Sequence, residues 1–291
     1  MRDKTLPCEM NGTKERNFYD SLLVVMVVYK MKLAESPTYQ SLTRTLATSH
    51  KSLSLFVYDN SPHPQSMPLV ANWEITYHHN LTNPGVSKAY NEGFNVAKAQ
   101  GKKWLLLADQ DTAFPENIFD LYKRCVQEFG VPIVVPLLTD HKGVVSPLKF
   151  YSGGGQRQKK LLGSIRLSLK EYLFHNSGLL VSTEVFEKAN GYDEHLPLDF
   201  SDFSFVHRLR KENLFFALSK ITCAHHLATT SSATLQERLA RFESYLKAGS
   251  YFNKNYLSSR MILPVRLFLR AVKLTFQCRS FQFMFLYFRT A

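Results

Sequence analysis

The sequence is poor in the features that mark several common protein classes. Its four cysteines, Cys8, Cys125, Cys223 and Cys278, lie far apart and form no CxxC pair. That spacing argues against a zinc ribbon and a disulfide framework, leaving free thiols in a reducing compartment. No G-x-G-x-x-G follows the first apolar run and no G-x-x-x-x-G-K-[ST] occurs, which disfavours a dinucleotide cofactor or a P-loop. Residues 1–16 are polar and charged, unlike a secretory leader. The longest apolar runs, Leu22–Tyr29 and Phe281–Phe288, fall short of the ~20 residues that span a bilayer. The expectation is a cytoplasmic protein. Acid is scarce as well: 24 Asp and Glu stand against 36 Lys and Arg, a formal net charge of +12. Such an excess favours an anionic partner, whether nucleic acid, lipid surface or phosphorylated substrate. No nucleic-acid recognition motif accompanies it, and the basic residues cluster with apolar ones near the C-terminus, so a nucleic-acid-binding protein is the weaker alternative.

What is present is an alternation of strands and helices. After a polar extension over 1–17, Leu22–Tyr29 is a continuous, largely β-branched run that suits a strand buried on both faces. Residues 36–50 read as a helix with Ser36 at the N-cap and Pro37 in its first position. Leu53–Tyr58 and Trp73–Tyr77 read as strands, Lys88–Gln100 as a helix, and Trp104–Ala108 as a fourth strand. This is the pattern of a parallel doubly wound sheet. Further on, Pro132–Pro136 and His175–Val181 read as strands and Thr183–Ala189 and Phe200–Lys211 as helices. Leu214–Ala224 is a strand or strand pair, and Tyr151–Lys160 a Gly- and Lys-rich flexible loop. From Leu235 onward the chain reads as helical, with Arg266, Arg270 and Lys273 on one face.

In open parallel sheets ligands sit beyond the carboxyl ends of the strands. Three polar segments directly follow apolar strands: Tyr29-Lys30, Asp59-Asn60-Ser61 and Asp109-Gln110-Asp111. Two carboxylates one residue apart repel each other, and a hard cation such as Mg²⁺ or Mn²⁺ relieves that repulsion. The alternative for Asp109 and Asp111 is a turn with an Asp cap on a helix near Pro115. Asp59 could accept from a base N–H with Tyr29 stacked on its ring; the alternative is an Asx-turn closing the strand. Asp202, with Asp199 before it, stands in an aromatic setting that suits a general base. The alternative is a pair of acidic residues favouring a helix start. His225-His226 ends an apolar segment, where an imidazole either completes a metal shell or serves structure.

In order, these segments are Val27-Val28-Tyr29-Lys30, Tyr58-Asp59-Asn60-Ser61, Asn83-Pro84-Gly85-Val86-Ser87-Lys88-Ala89-Tyr90-Asn91-Glu92-Gly93, Trp104–Thr112, Asn176-Ser177-Gly178-Leu179-Leu180, Gly191-Tyr192-Asp193-Glu194, Leu198-Asp199-Phe200-Ser201-Asp202, Arg208 and His225. The ordered set resembles the family 2 glycosyltransferases of the GT-A fold, especially their bacterial rhamnosyltransferase-like and galactofuranosyltransferase-like branch. It covers about residues 20–230. The resemblance implies a mostly parallel Rossmann-like sheet flanked by helices, over 18–232, with C-terminal helices over 233–291. It also implies site roles. Val28, Tyr29, Asp59, Asn60, Ser61, Gly85, Lys88, Asn91, Asp109 and Gln110 would hold the nucleotide-sugar donor. Asp111, with Asp109 and one of His225 and His226, would hold Mn²⁺ or Mg²⁺. Asp202 would be the catalytic base, and Asn176, Asp199 and Arg208 would serve the acceptor or support the structure. Lys30 stands where the family usually has Asn, and Ala228 where it often has Gly.

The implied reaction is inverting transfer of a sugar from dTDP-rhamnose or a UDP-hexose to a hydroxyl of a glycan, as in bacterial O-antigen or capsule synthesis. Acceptors in the family are often lipid-linked, so the basic, aromatic C-terminal helices suit the inner face of the cytoplasmic membrane. Packing on the catalytic domain or on a second subunit is the alternative for them. A sugar-phosphate nucleotidyltransferase shares the sheet and the carboxylates, but its Gly-rich basic loop after the first strand is absent.

Overall fold

Every residue of Leu22–Val28 is buried. Leu22, Val24, Met26 and Val28 enter one apolar core, and Leu23, Val25 and Val27 enter another. A strand sends alternate side chains to opposite faces, so an unbroken apolar run can serve only a sheet covered on both sides.

The structure is a computed structural model that describes residues 18–49, 51–140, 143–151, 154–158, 165–212, 215–225, 234–257 and 261–290. The elements in chain order are β1 (Leu22–Val28), α1 (Pro37–Ser49), β2 (Leu53–Asp59), β3 (Trp73–His79), α2 (Val86–Ala99), β4 (Trp104–Asp109), β5 (Thr112–Ala113) and α3 (Ile118–Phe129). Then come β6 (Ile133–Asp140), β7 (Gly143–Ser146), β8 (Leu148–Tyr151), β9 (Gly154–Gln156), β10 (Ile165–Ser168), β11 (Tyr172–Leu173) and β12 (Leu179–Ser182). The last are α4 (Thr183–Lys188), α5 (Ser201–Glu212), β13 (Phe215–His225), α6 (Leu235–Tyr256), α7 (Ile262–Cys278) and α8 (Gln282–Thr290).

The main sheet runs β10-β13-β6-β12-β4-β1-β2-β3, and β11-β8-β9 form a small second sheet. β3, β2, β1 and β4 are parallel. β12 lies antiparallel between β4 and β6, and β6 and β13 are parallel to each other. Helices α1 and α3 cover one face through residues such as Leu42, Leu46, Phe119 and Tyr122. The other face is covered by α2, α4 and α5, with Tyr90, Phe186 and Phe205 among the buried side chains. Gly93 lets α2 lie close to β1, because a Cβ there would sit 2.5 Å from a Val25 methyl. A third core joins Leu196 and Phe200 to Phe242, Leu246, Phe252, Leu263, Leu267 and Phe283 of the C-terminal helices.

Several boundaries differ from the sequence reading. Gly154–Gln156, inside the segment read as a loop, is a strand paired with Leu148–Tyr151. It has two glycines and no apolar alternation, so neither length nor period marks it. Of the strand expected over His175–Val181, only the part from Leu179 is a strand; His175 and Asn176 precede it. Helix α2 begins at Val86 rather than Lys88, where Val86 N–H bonds the Pro197 carbonyl at 2.7 Å. The polar extension over 1–17 lies outside the described residues.

Candidate active site

Because β1, β2 and β4 are parallel, their carboxyl ends meet at one edge, and hydrogen bonds lace those ends together. Asn60 N–H donates to the Val28 carbonyl at 2.9 Å. Tyr29 N–H donates to Gln110 Oε1 at 2.7 Å, and Gln110 Nε2 donates back to the Tyr29 carbonyl at 3.2 Å. Lys30 N–H donates to Ser61 Oγ at 2.8 Å. Asp59 is fully buried behind this edge. Its carboxylate accepts from Ser61 N–H at 2.8 Å, Gln65 Nε2 at 2.9 Å and the Tyr77 hydroxyl at 2.9 Å. Burial alone would raise the Asp59 pKa, but these donors outweigh it and hold it below the usual carboxylate range.

The Asp109-Gln110-Asp111 segment is gripped by the start of α1. Ser36 Oγ donates to the Gln110 carbonyl and Thr38 Oγ1 to the Asp109 carbonyl, each at 2.6 Å. The same Ser36 oxygen accepts from Tyr39 N–H at 3.2 Å, which is the N-cap expected from sequence. Asp109 Oδ1 accepts from the Tyr90 hydroxyl at 2.8 Å. Burial first, and then the charge of Asp109, keep that phenol protonated far above its ordinary value. After Asp111 the chain enters β5, and α3 starts only at Ile118 after Asn117, so Asp111 caps no helix.

Asp202 lies in the first turn of α5. The residue two before it, Phe200, has φ +62°, a conformation rare for a bulky side chain, and its ring is locked in the third core. Asp202 Oδ1 accepts from Phe203 N–H at 2.8 Å, and Oδ2 lies 2.5 Å from His175 Nδ1. His175 is further fixed by its N–H bond to Ser146 Oγ at 3.0 Å and by stacking on Phe203. Burial would lower the His175 pKa, but the Asp202 charge and hydrogen bond, with a contribution from Asp109, raise it overall. The neighbouring Asp202 thus favours the protonated form of the His175 ring.

These segments border a cleft of about 940 Å³. Val28, Tyr29, Asn60, Gly85, Asp109, Gln110, Asp111, His175, Asn176, Asp199 and Asp202 line it. The opposite wall is α6, which contributes Arg241, Ser244, Lys247 and Tyr251. Arg241 Nη2 donates to Asp199 Oδ1 at 2.8 Å, and Arg241 Nη1 bonds the other Asp199 oxygen. Tyr251 stacks on His195 with ring centroids 5.2 Å apart. Asn60 is 3% exposed, and its Oδ1 has no hydrogen-bond partner among the described residues.

Other expected site residues stand behind the cleft rather than in it. Asp59 and Ser61 form the Asx-turn that closes β2. Asn91 bonds both the N–H and the carbonyl of Tyr192, at 2.8 and 3.1 Å, and Lys88 pairs with Glu92 at 3.0 Å and Glu194 at 3.6 Å. Arg208 donates to the carbonyls of Asn190 and Gly191 and pairs with Asp193 at 3.4 Å. Asp193 also accepts from the Tyr256 hydroxyl of α6 at 2.6 Å. Backbone pairing sets His225 opposite Thr112, the residue after Asp111. The His225 side chain and all of His226 lie outside the described residues. Among the described residues no group of three His, Cys, Asp or Glu is gathered for a metal. Sequence missed the α6 side chains that line the cleft and, on the sheet side, His175. The only signal for His175 was its place directly before Asn176-Ser177-Gly178, and a lone histidine beside an apolar strand does not stand out.

No family model matches the chain. Over 121 residues it is 26% identical to the dTDP-rhamnosyl transferase RfbF of Shigella flexneri, covering 41% of this chain and 41% of that relative. Among solved structures, S. aureus TarS aligns with a TM-score of 0.53 at 12% identity, covering 84% of this chain and 41% of TarS. TarS 1–349 in complex with UDP-GlcNAc gives 0.51 at 12% identity, over 85% of this chain and 70% of that one. GalNAc-T7 with UDP, GalNAc and Mn²⁺ gives 0.51 at 12% identity, over 84% and 52%. The matches thus span less than half the length of RfbF and of full TarS. At such identities the structures establish architecture. The chain has the GT-A fold of these solved glycosyltransferases.

Proposed function

We propose that this protein is an inverting, nucleotide-sugar-dependent glycosyltransferase that uses dTDP-rhamnose or a UDP-hexose and glycosylates a hydroxyl of a glycan, in bacterial surface polysaccharide synthesis. The observation that carries the reading is convergence. Asp109 and Asp111, and Asp202 far along the chain, line one cleft at the carboxyl edge of the sheet, where ligands of such sheets bind. RfbF is by name a dTDP-rhamnosyl transferase, and a TarS structure holds UDP-GlcNAc; both favour a nucleotide-sugar donor.

The sheet-side wall suits the donor. Asn60 brings an unpaired buried amide oxygen, the kind of group that a ligand donor would satisfy at a gain of about 1–3 kcal/mol. Tyr29, 41% exposed at the rim, offers a ring face. Asp109 and Asp111 supply the hard carboxylate oxygens that Mn²⁺ or Mg²⁺ prefers, and the GalNAc-T7 structure holds Mn²⁺. Bound there with the donor, the ion would act as a Lewis acid toward the leaving diphosphate. The His225 backbone opposite Thr112 makes that residue, or its neighbour His226, the candidate third ligand.

Asp202 takes the proton of the acceptor hydroxyl as the acceptor oxygen bonds to the anomeric carbon. The bond from that carbon to the diphosphate oxygen breaks from the opposite side, and the configuration inverts. His175 positions the Asp202 carboxylate through its Nδ1 hydrogen bond. On the far wall, Ser244, Lys247 and Tyr251 of α6 line the cleft and would meet the acceptor. The C-terminal helices over 233–291 would then be part of the working enzyme rather than an appendage.

Screening purified protein with dTDP-rhamnose, UDP-galactofuranose, UDP-galactose and UDP-glucose for nucleoside diphosphate release tests the reading. Release from one donor, dependent on Mn²⁺ or Mg²⁺, is expected. Pyrophosphate release from a nucleoside triphosphate and a sugar phosphate would instead make the protein a nucleotidyltransferase.

A further inference from the structure

Helices α7 and α8 leave an apolar face uncovered. In α7, Val265, Leu269, Val272 and Phe276 recur at helical spacing, and so do Phe281, just before α8, and Phe285 and Phe288 within it. Neither stripe faces the core, because α7 buries Leu263, Leu267 and Ala271 and α8 buries Phe283. Phe276, Phe281, Phe285 and Phe288 are 71% to 77% exposed, and Val265 and Leu269 are more than half exposed. Phe268 and Phe288, with ring centroids 6.3 Å apart, connect the two stripes. Single exposed apolar residues are ordinary, but a group of this size on two adjoining helices marks an interaction surface.

Charge identifies the partner. Residues 261–290 contain Arg266, Arg270, Lys273, Arg279 and Arg289 and no Asp or Glu. Arg289 pairs with Glu243 of α6 at 3.2 Å, and Arg270 stacks on Tyr245, its guanidinium 4.0 Å from the ring centroid. A second copy of this chain would bring the same cations together without acids to meet them. An anionic lipid surface meets both properties, taking phenylalanine at the acyl boundary and arginine or lysine at the phosphates. No helix among the described residues is long and apolar enough to cross a membrane. We propose that this face of α7 and α8 docks the protein onto an anionic bilayer, lying in its surface. The proposal is independent of the reaction chemistry.

Flotation of the full chain with phosphatidylcholine vesicles, with and without phosphatidylglycerol, tests it. The protein should float only with the anionic vesicles. Replacing Phe276, Phe281 and Phe288 together by Ser should abolish flotation without lowering Tm, since these side chains make little of the core. Lys273→Gln with Arg279→Gln should weaken partitioning about thirtyfold, two cations' worth at a membrane surface. Wild-type protein that ignores anionic vesicles, or binds neutral ones equally, overturns the proposal. So does a wild-type dimer that the serine variant converts to monomer without any vesicle binding.

Discussion

The two walls of the cleft are held by different kinds of bond. On the sheet side, positions follow from register: Val28 pairs with Asp59 and Val27 with Asp109 across parallel ladders. Backbone carbonyls of Asp109 and Gln110 are then tied to α1 hydroxyls. On the α6 side, the ties are between side chains, as in Arg241 with Asp199, Tyr251 with His195, and Tyr256 with Asp193. A wall set by register fixes geometry for a shared ligand chemistry. A wall set by side chains can change its lining without disturbing the sheet.

The largest effect that can break this division is at Asp202, which the proposed reaction assigns to the acceptor. Asp202→Asn should lower transfer by about 10²–10⁴-fold, the usual worth of a general base, while donor affinity stays within a factor of about two. Equal loss of donor affinity would move Asp202 to the donor wall.

A smaller effect is expected where the walls meet. Gly85 has φ +92°, and a Cβ there would lie 2.2 Å from the Pro197 carbonyl oxygen. Gly85→Ala should cost about 1–3 kcal/mol of stability in urea unfolding, because both backbone strain and a collision with backbone must be relieved. An unchanged unfolding midpoint would show that the α2 start and the 196–199 turn are not in such close approach.

The smallest effect concerns His175. Its folded-state pKa is raised, so its pairing with Asp202 adds stability fully below its ordinary value of 6.5. That contribution fades as pH rises through the higher folded value. The stability difference between wild type and His175→Gln should therefore be larger in mildly acidic than in alkaline solution. A difference independent of pH would mean that the pair is not ionic.

Legibility in the sequence followed the same division. β1, β2 and β4 are long apolar runs ending in polar residues, so both strands and strand-end site segments could be read directly. β7 to β11 are two to four residues long, and no period can register over that length. Asp59 shows the limit of motif reading. Its place at the end of β2 suggested a base contact, but Gln65 and Tyr77, joined to it only in the fold, hold its carboxylate behind the cleft that Asn60 lines. His175 was hidden for the converse reason: what distinguishes it is Asp202, 27 residues away.

The most direct test of the account is nucleoside diphosphate release from the sugar nucleotides by wild type, by Asp111→Asn, and by wild type with chelator. The account predicts release from at least one donor by wild type alone, with both other arms reduced at least about tenfold, the scale of losing a metal-held leaving group. Release from no donor, or release indifferent to both Asp111 and chelator, would contradict it.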